Sequence, residues 1–303
     1  MSTDARPRPR PVLMLVGAAA CWGIGTVISK HALDNIEPFT LLTVQLLTST
    51  TFLFAVILVQ RVRIAWTPEM RRLAALGVLN PGLAYALGLI GLTSITASMS
   101  VLIWATEPVL IVLLAVLVLH ERISAGLGVA LGVAVMGVLL VVYQAGAAGT
   151  TVGVLLTVAA VGACALYTVI TRLLLVDDAS IAVAGVQQAA ALAFAIASLT
   201  VSELLTTHGH PIGSVSAATW LWAALSGLLY YGVAFWLYLT GLARVSASVA
   251  GSFITLVPVF GVAAALFIGE QLTARQWIGA AIVVGALTVV GAMQSRSHTA
   301  SQT

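Results

Sequence analysis

Ten apolar runs, each about as long as a bilayer is thick, leave this chain little freedom in what it can fold into. They fall at roughly 11–30, 38–59, 72–92, 96–118 and 126–144, and again at 151–174, 180–202, 218–240, 246–268 and 275–293, bounded by charges, prolines or polar clusters. A helix needs roughly 20 apolar residues to cross ~30 Å of hydrocarbon. A membrane barrel strand is about ten residues of alternating character. Lipid cannot satisfy backbone N–H and C=O groups, so only helices and closed barrels span it. Runs this long and this uniformly apolar are helices. Only 8% of the 303 residues are charged and 60% are hydrophobic, whereas a soluble domain carries roughly 25% charged residues. The chain is therefore expected to be an all-α integral membrane protein of ten transmembrane helices, with no room for a large soluble domain.

The net charge is +3, but the basic residues form no stripe or patch, so nucleic acid is not an expected partner. They fit the excess of Lys and Arg on cytoplasmic loops instead. With the N-terminus in the cytoplasm, the cytoplasmic segments hold Arg6, Arg8, Arg10, Arg61, Arg63, Arg71, Arg72, Arg122, Arg172, Arg244 and Arg296. The opposite side holds only Lys30 and Arg275. Shifting the helix count by one destroys this bias, so both termini are expected inside. Cys21 and Cys164 lie in apolar runs and read as buried free thiols, with no disulfide framework, metal or cofactor implied. The polar stretch Met1–Pro11 precedes a run without a small-residue cleavage site, so the first run is expected to stay as a helix and not to be a removed signal peptide.

The second half of the chain repeats the first. Gly91-Leu92-Thr93-Ser94-Ile95-Thr96-Ala97-Ser98, leading to Pro108, aligns without gaps on Gly241-Leu242-Ala243-Arg244-Val245-Ser246-Ala247-Ser248, leading to Pro258, at an offset of 150 residues. Each proline precedes an apolar run that ends in an acid, His120-Glu121-Arg122-Ile123-Ser124 and Gly269-Glu270-Gln271-Leu272-Thr273. Nearer the N-terminus the offset is 142, matching Ser29-Lys30 to Thr171-Arg172 and Val44-Gln45 to Val186-Gln187. Each half holds five runs, an odd number, so the second enters the membrane from the opposite side. The expected organisation is a cytoplasmic tail (1–10), two inverted five-helix repeats (11–144 and 151–293) and a second cytoplasmic tail (294–303), N-in and C-in. Inverted repeats are an architecture of alternating-access transporters, whose site lies at the repeat interface near mid-bilayer.

The five-run repeat, and the proline, apolar run and (Gly/His)-Glu-(Arg/Gln)-(Ile/Leu)-(Ser/Thr) signature closing the fourth run of each half, resemble the EamA family of the drug/metabolite transporter superfamily. Ala20-Cys21-Trp22-Gly23 is similar to that family's small-x-Trp-Gly opening. The resemblance spans about residues 11–293. It implies ten helices with both ends cytoplasmic, and export of metabolites, amino acids or drugs. Two departures are His120, where glycine usually precedes the acid, and a proline-to-acid spacing one residue shorter in the second half. A third is Cys164, which stands where the second half might carry tryptophan.

Glu107 is the first candidate for chemistry. A charge at mid-membrane costs at least about 2.5–3.5 kcal/mol, so the carboxyl is expected to face a cavity or to be protonated. It is either a proton-coupling residue or a structural acid bonded to a neighbouring helix at a kink set by Pro108. Its repeat mate is Val257. Faces at helical spacing supply further candidates for a solute route: Trp22 and Thr26 with Ser29; Trp104 and Glu107 with Ser100; Ser252 and Thr255 with Ser248; and Tyr231 and Tyr238 with Phe235, whose mates include Pro81 and Tyr85. The alternative for the small polar residues is helix packing. Gln45 and Gln187 either line the route or bridge helices. Asn80-Pro81 is expected to bend the third helix, with Asn80 satisfying freed backbone groups. Gly128 and Gly132 suit tight packing, and a homodimer is compatible with them.

These features describe a secondary transporter of the bacterial-type inner (plasma) membrane, multi-pass and in contact with lipid, that exports a small organic solute. An importer or a facilitative exchanger is the alternative. An intramembrane enzyme would need a constellation such as H-E-x-x-H, paired aspartates or a serine with its base, and none is present in the sequence. A primary pump would need a phosphate-binding G-x-x-x-x-G-K-[ST] loop, also absent, and nothing resembles a channel's selectivity filter.

Overall fold

The computed structural model describes residues 9–119, 125–142, 148–174, 181–205, 215–242, 253–254 and 256–300. In the first half these form α1 (Pro9–Leu33), α2 (Pro38–Val59), α3 (Pro68–Gly77), a π turn (Val78–Leu83), α4 (Ala84–Leu92), α5 (Ala97–Trp104), α6 (Glu107–Leu119) and α7 (Ala125–Val142). The second half contains α8 (Ala148–Leu174), α9 (Ile181–Leu205), α10 (Ala217–Gly227), a second π turn (Leu228–Val233), α11 (Ala234–Leu242), α12 (Val257–Phe267) and α13 (Ala274–Ala300). No strand occurs among the described residues. Six helical stretches are long and apolar enough to cross a membrane: Arg10–Leu33, Pro38–Val59, Pro68–Leu92, Thr150–Thr171, Ile181–Leu205 and Ala217–Gly241. Shorter apolar helices at Ala97–Ile111, Gly128–Leu140, Val257–Phe267 and Ala274–Val289 occupy the other four runs. Pro9 and Arg10, placed in the tail by the sequence, already belong to α1, and α13 continues past 293 to Ala300.

Proline sets where helices start. Pro38 and Pro68 open α2 and α3, where a missing N–H costs nothing and the fixed φ suits the first turn. The fourth run obeys the same rule, and at Pro108, where a kink was considered, the helix is interrupted. α5 ends at Trp104, Ala105 and Thr106 form a turn, and α6 restarts at Glu107 with Pro108 in its first turn. In a helix interior Pro108 would remove a hydrogen bond and clash with the carbonyl four residues back. Breaking the helix before it avoids both. Pro258, 150 residues later, likewise sits in the first turn of α12.

The third run bends at Asn80-Pro81, as the proline requires, with Asn80 in extended geometry (φ −145°, ψ 120°) inside the first π turn. The Asn80 Oδ1 is buried and has no hydrogen-bond partner, so this oxygen accepts no freed N–H. The second π turn, Leu228–Val233, lies at the repeat offset from the first although it contains no proline.

Contacts between the halves come in exchanged pairs. α1 packs on α10, the second π turn and α11, while α8 packs on α3, the first π turn and α4. α1 also meets α12, and α8 meets α6; α2 meets α10, and α9 meets α3. The pairs α2–α9 and α7–α13 are their own counterparts. Glycine is needed at several crossings, two of which are matched between the halves. A Cβ on Gly77 would collide with the backbone of Gln187, and one on Gly227 with the backbone of Gln45. α7 approaches α13 through Gly137, which faces Ile282, Val283 and the Gly279 carbonyl. Nothing among the described residues lies within 4 Å of a Cβ built on Gly132, so the tight packing expected at Gly132 is not made by them.

Candidate functional site

A cavity of about 310 Å³ of atom-free space, part of it open, lies between α1, α4, α5 and the second π turn. Thr26 and Ser29 border it from α1, Tyr85 and Gly88 from α4, and Ser100 and Trp104 from α5. Tyr230 and Tyr231 close it from the second half. Its walls are rings. Tyr85 stacks on Trp104 with centroids 5.2 Å apart and planes 15° from parallel. It also meets Tyr231 edge-on at 5.0 Å and Tyr230 at 5.5 Å. Such offset and edge geometries are the ones ring quadrupoles favour. The Tyr230 hydroxyl approaches those of Tyr85 and Thr26.

The structure splits the aromatic stripe expected over Tyr231, Phe235 and Tyr238. Phe235 and Tyr238 pack on Trp22, at 5.6 and 5.4 Å, whereas Tyr231 turns towards Tyr85. The π turn explains this, because its wider helical turn shifts side chains off the regular 3.6 period. It also brings in Tyr230, which the regular spacing left out. The sequence did carry one signal for it: Tyr230 is the repeat mate of Asn80, beside the proline that deforms the other half.

Glu107 lies one turn beyond Trp104, at the restart of the broken helix. Its Oε1 accepts a hydrogen bond from the Cys164 thiol of α8 at 3.1 Å, so Cys164 is more than an apolar filler. Among the described residues no cationic side chain acts on this carboxyl. The N-terminal dipole of α6 offsets about 0.3–1 kcal/mol of an adjacent negative charge, and a thiol is a weak donor. Together they fall short of the roughly 2.5–3.5 kcal/mol that a carboxylate costs at membrane depth.

Both glutamines are buried, and both bridge elements. Gln45 donates from Nε2 to Ser29 and to Ser226 Oγ, each at 2.8 Å, while its Oε1 has no partner. Gln187 accepts from the Tyr167 hydroxyl at 2.7 Å and donates to the Leu73 carbonyl at 3.1 Å. Ser29 ties Gln45 to the cavity wall, whereas Gln187 lies apart from it. Trp22 and Tyr238 stand behind the cavity, and Asn80 lies in the first π turn. Ser252 and Thr255 lie outside the described residues.

One end of the bundle is tied within the first half by Lys30 and across the halves by Glu270, residues that the sequence read as topology and boundary signals. Lys30 Nζ donates to the carbonyls of Leu92 and Thr93, at 2.8 and 3.2 Å, where α4 ends. Glu270, just before α13, accepts from the N–H groups of Ala97 and Ser98, at 2.8 and 3.1 Å, and from Ser98 Oγ at 2.7 Å. It thereby caps α5 from the other half, and a carboxylate is well placed at a helix N-terminus.

The family model described as "EamA-like transporter family" matches this chain twice, over residues 9–143 and 151–292. The chain belongs to the EamA-like transporter family. It is thus a multi-pass membrane transporter of small solutes, and the two matched segments coincide with the two halves that pair across the seam. No curated protein matches the sequence. A crystal structure of a protein 18% identical aligns over 94% of this chain and 99% of its own, with a TM-score of 0.64, a likeness of fold. In this EamA-like chain the cavity draws its walls from both matched segments.

Proposed function

We propose that this protein exports a small organic solute across the inner membrane by alternating access, with the cavity at the seam of two inverted repeats as the solute site. The observation that carries this reading is the make-up of the cavity. Its rings and hydroxyls come from α1, α4 and α5 of one half and from the second π turn of the other, so any rocking of the halves reshapes it. Apolar walls with a few convergent polar groups suit an amphipathic metabolite, and broken helices at a repeat interface are a recurring feature of transporter sites. Orientation rests on the charge bias of the loops. Lys30 with Leu92, Ala97 with Glu270, and His31 with Trp222 (6.2 Å) meet at one end of the bundle, the end assigned outside. Glu107, near mid-membrane in this topology, is the coupling candidate.

Cells with and without the gene, compared for extracellular metabolites and for resistance to a panel of toxic amino-acid analogues and drugs, test the reading. At least one solute is expected outside only when the gene is present, with Trp104→Ala abolishing the difference. Accumulation inside would make the protein an importer. Reporters near residues 65 and 205 are expected on opposite faces, and finding both on one face would remove the inverted arrangement.

A further inference from the structure

We propose that Glu270 is the outer latch of the transport cycle: its carboxylate, supplied by the second half, holds the first turn of α5 in place and must leave before the cavity can open outwards. The inference rests on alternating access as proposed above. It starts from where the N–H groups of that first turn find partners, since none is available within the helix itself. Thr96 caps its own helix and accepts from the Met99 N–H at 3.1 Å. The Ala97 and Ser98 N–H groups both go to Glu270, at 2.8 and 3.1 Å. The Ser98 hydroxyl donates a further bond to it at 2.7 Å. Ala97 and Ser98 are buried, so without the carboxylate or water two backbone donors would stand unpaired.

Glu270 is aimed by the end of α12. The Gly269 N–H bonds the Leu266 carbonyl at 3.1 Å and the Glu270 N–H bonds the Ala265 carbonyl at 3.0 Å, with Gly269 at φ 93°. This is the helix-ending turn that glycine favours, and it turns the next side chain back towards α5. Glu270 is part exposed while its partners are covered. Further along, α5 supplies Ser100 and Trp104 to the cavity wall, and α4 supplies Leu92. Lys30 fixes the end of α4 from within the first half, whereas Glu270 reaches across from the second. Halves that part at this end therefore keep the Lys30 bonds and break the Glu270 bonds. Water entering through the gap can satisfy the carboxylate and both N–H groups, so the latch closes only as that end dries and opens again without damage to α5.

The test places a cysteine in the cavity wall, Ser100→Cys, in the full chain, and follows its labelling by a charged, membrane-impermeant methanethiosulfonate. The reagent is applied from outside to cells and from the cytoplasmic face to inside-out vesicles, with the chain lacking the added cysteine as the background from Cys21 and Cys164. Glu270→Gln keeps the shape and loses the charge, and is expected to speed labelling from outside by up to about fivefold; Glu270→Ala should speed it by roughly tenfold or more. Labelling from the cytoplasmic face should not rise with either. Ser98→Ala removes only the hydroxyl bond and suits a helix. It should give about a twofold rise from outside, so a Glu270 variant that folds poorly cannot shelter the proposal. Unchanged labelling from outside in all three variants would overturn the latch, as would an equal rise at both faces, the mark of a merely loosened bundle. If the chain carrying Ser100→Cys alone is then still labelled from the cytoplasmic face, alternating access stands and only the latch fails. Labelling from neither face in any variant would take the cavity off the solute route, and both readings would fall.

Discussion

Gln45 on α2 and Gln187 on α9 occupy equivalent places in the two halves, and each backs onto the glycine of the partner half that lets the helices cross, Gly227 or Gly77. Their backbones are used alike and their amides are not. Gln187 satisfies both ends, with Tyr167 and the Leu73 carbonyl. Gln45 spends its amide nitrogen on two serines and leaves a buried oxygen unpartnered. The same division appears at Glu107 and Val257, which take equivalent places beside Pro108 and Pro258 but share no chemistry. Duplication therefore supplied a symmetric frame of glycines, prolines and π turns, and the site is laid asymmetrically on it. Backbone crossings depend on shape and persist in both copies, whereas a polar constellation needs to be built only once.

The sharpest way to break that comparison is at the crossings. Gly77→Val and Gly227→Val should each force a side chain into the facing backbone, costing about 3 kcal/mol or more, and both should lose the monodisperse peak in detergent size-exclusion chromatography. Tolerance of one but not the other would mean the frame is not symmetric. Next comes the charge. Glu107→Gln should reduce transport by roughly tenfold or more, the loss of one charge-specific contact, while Val257→Gln should transport within about twofold of wild type, both read as solute efflux from cells; equal losses would erase the asymmetry.

The glutamines sharpen it further. Gln187→Leu removes the acceptor of Tyr167 as well as the donor to Leu73, and should cost about 1–3 kcal/mol in thermal unfolding. Gln45→Leu also removes an unsatisfied oxygen, and its serines keep their bonds to the Gly25 and Ala223 carbonyls, so its loss should be smaller. The reverse order would count against the assignment of Gln187 as the structural member of the pair. The smallest effect is expected at the bundle end, where Glu270 is part exposed. Glu270→Gln should cost about 1 kcal/mol or less after solvent screening, detectable as faster hydrogen exchange at the Ala97 and Ser98 amides. Unchanged exchange there would mean that α5 does not need its cap.

Much of the frame was legible in the chain itself. The apolar runs, the duplication and the prolines are one-dimensional properties, because hydropathy and the missing proline N–H act locally wherever the segment ends up. Trp22, Thr26, Tyr85 and Trp104 were found as helix faces for the same reason. At Pro108 the proline pointed to a kink, and only the structure showed a turn at 105–106 with a restart at Glu107. Tyr230 was missed because the spacing argument assumes a regular helix and the π turn is not one.

By itself, then, the sequence determined a membrane protein of two related halves and the segments from which a site could be drawn. Only the tertiary structure decided which of them meet: Glu107 with Cys164, 57 positions apart, Glu270 with the start of α5, 173 apart, and Tyr85 with the tyrosines of the second π turn. Such pairings depend on how two separately encoded surfaces dock, and the order of residues along either one carries no record of that.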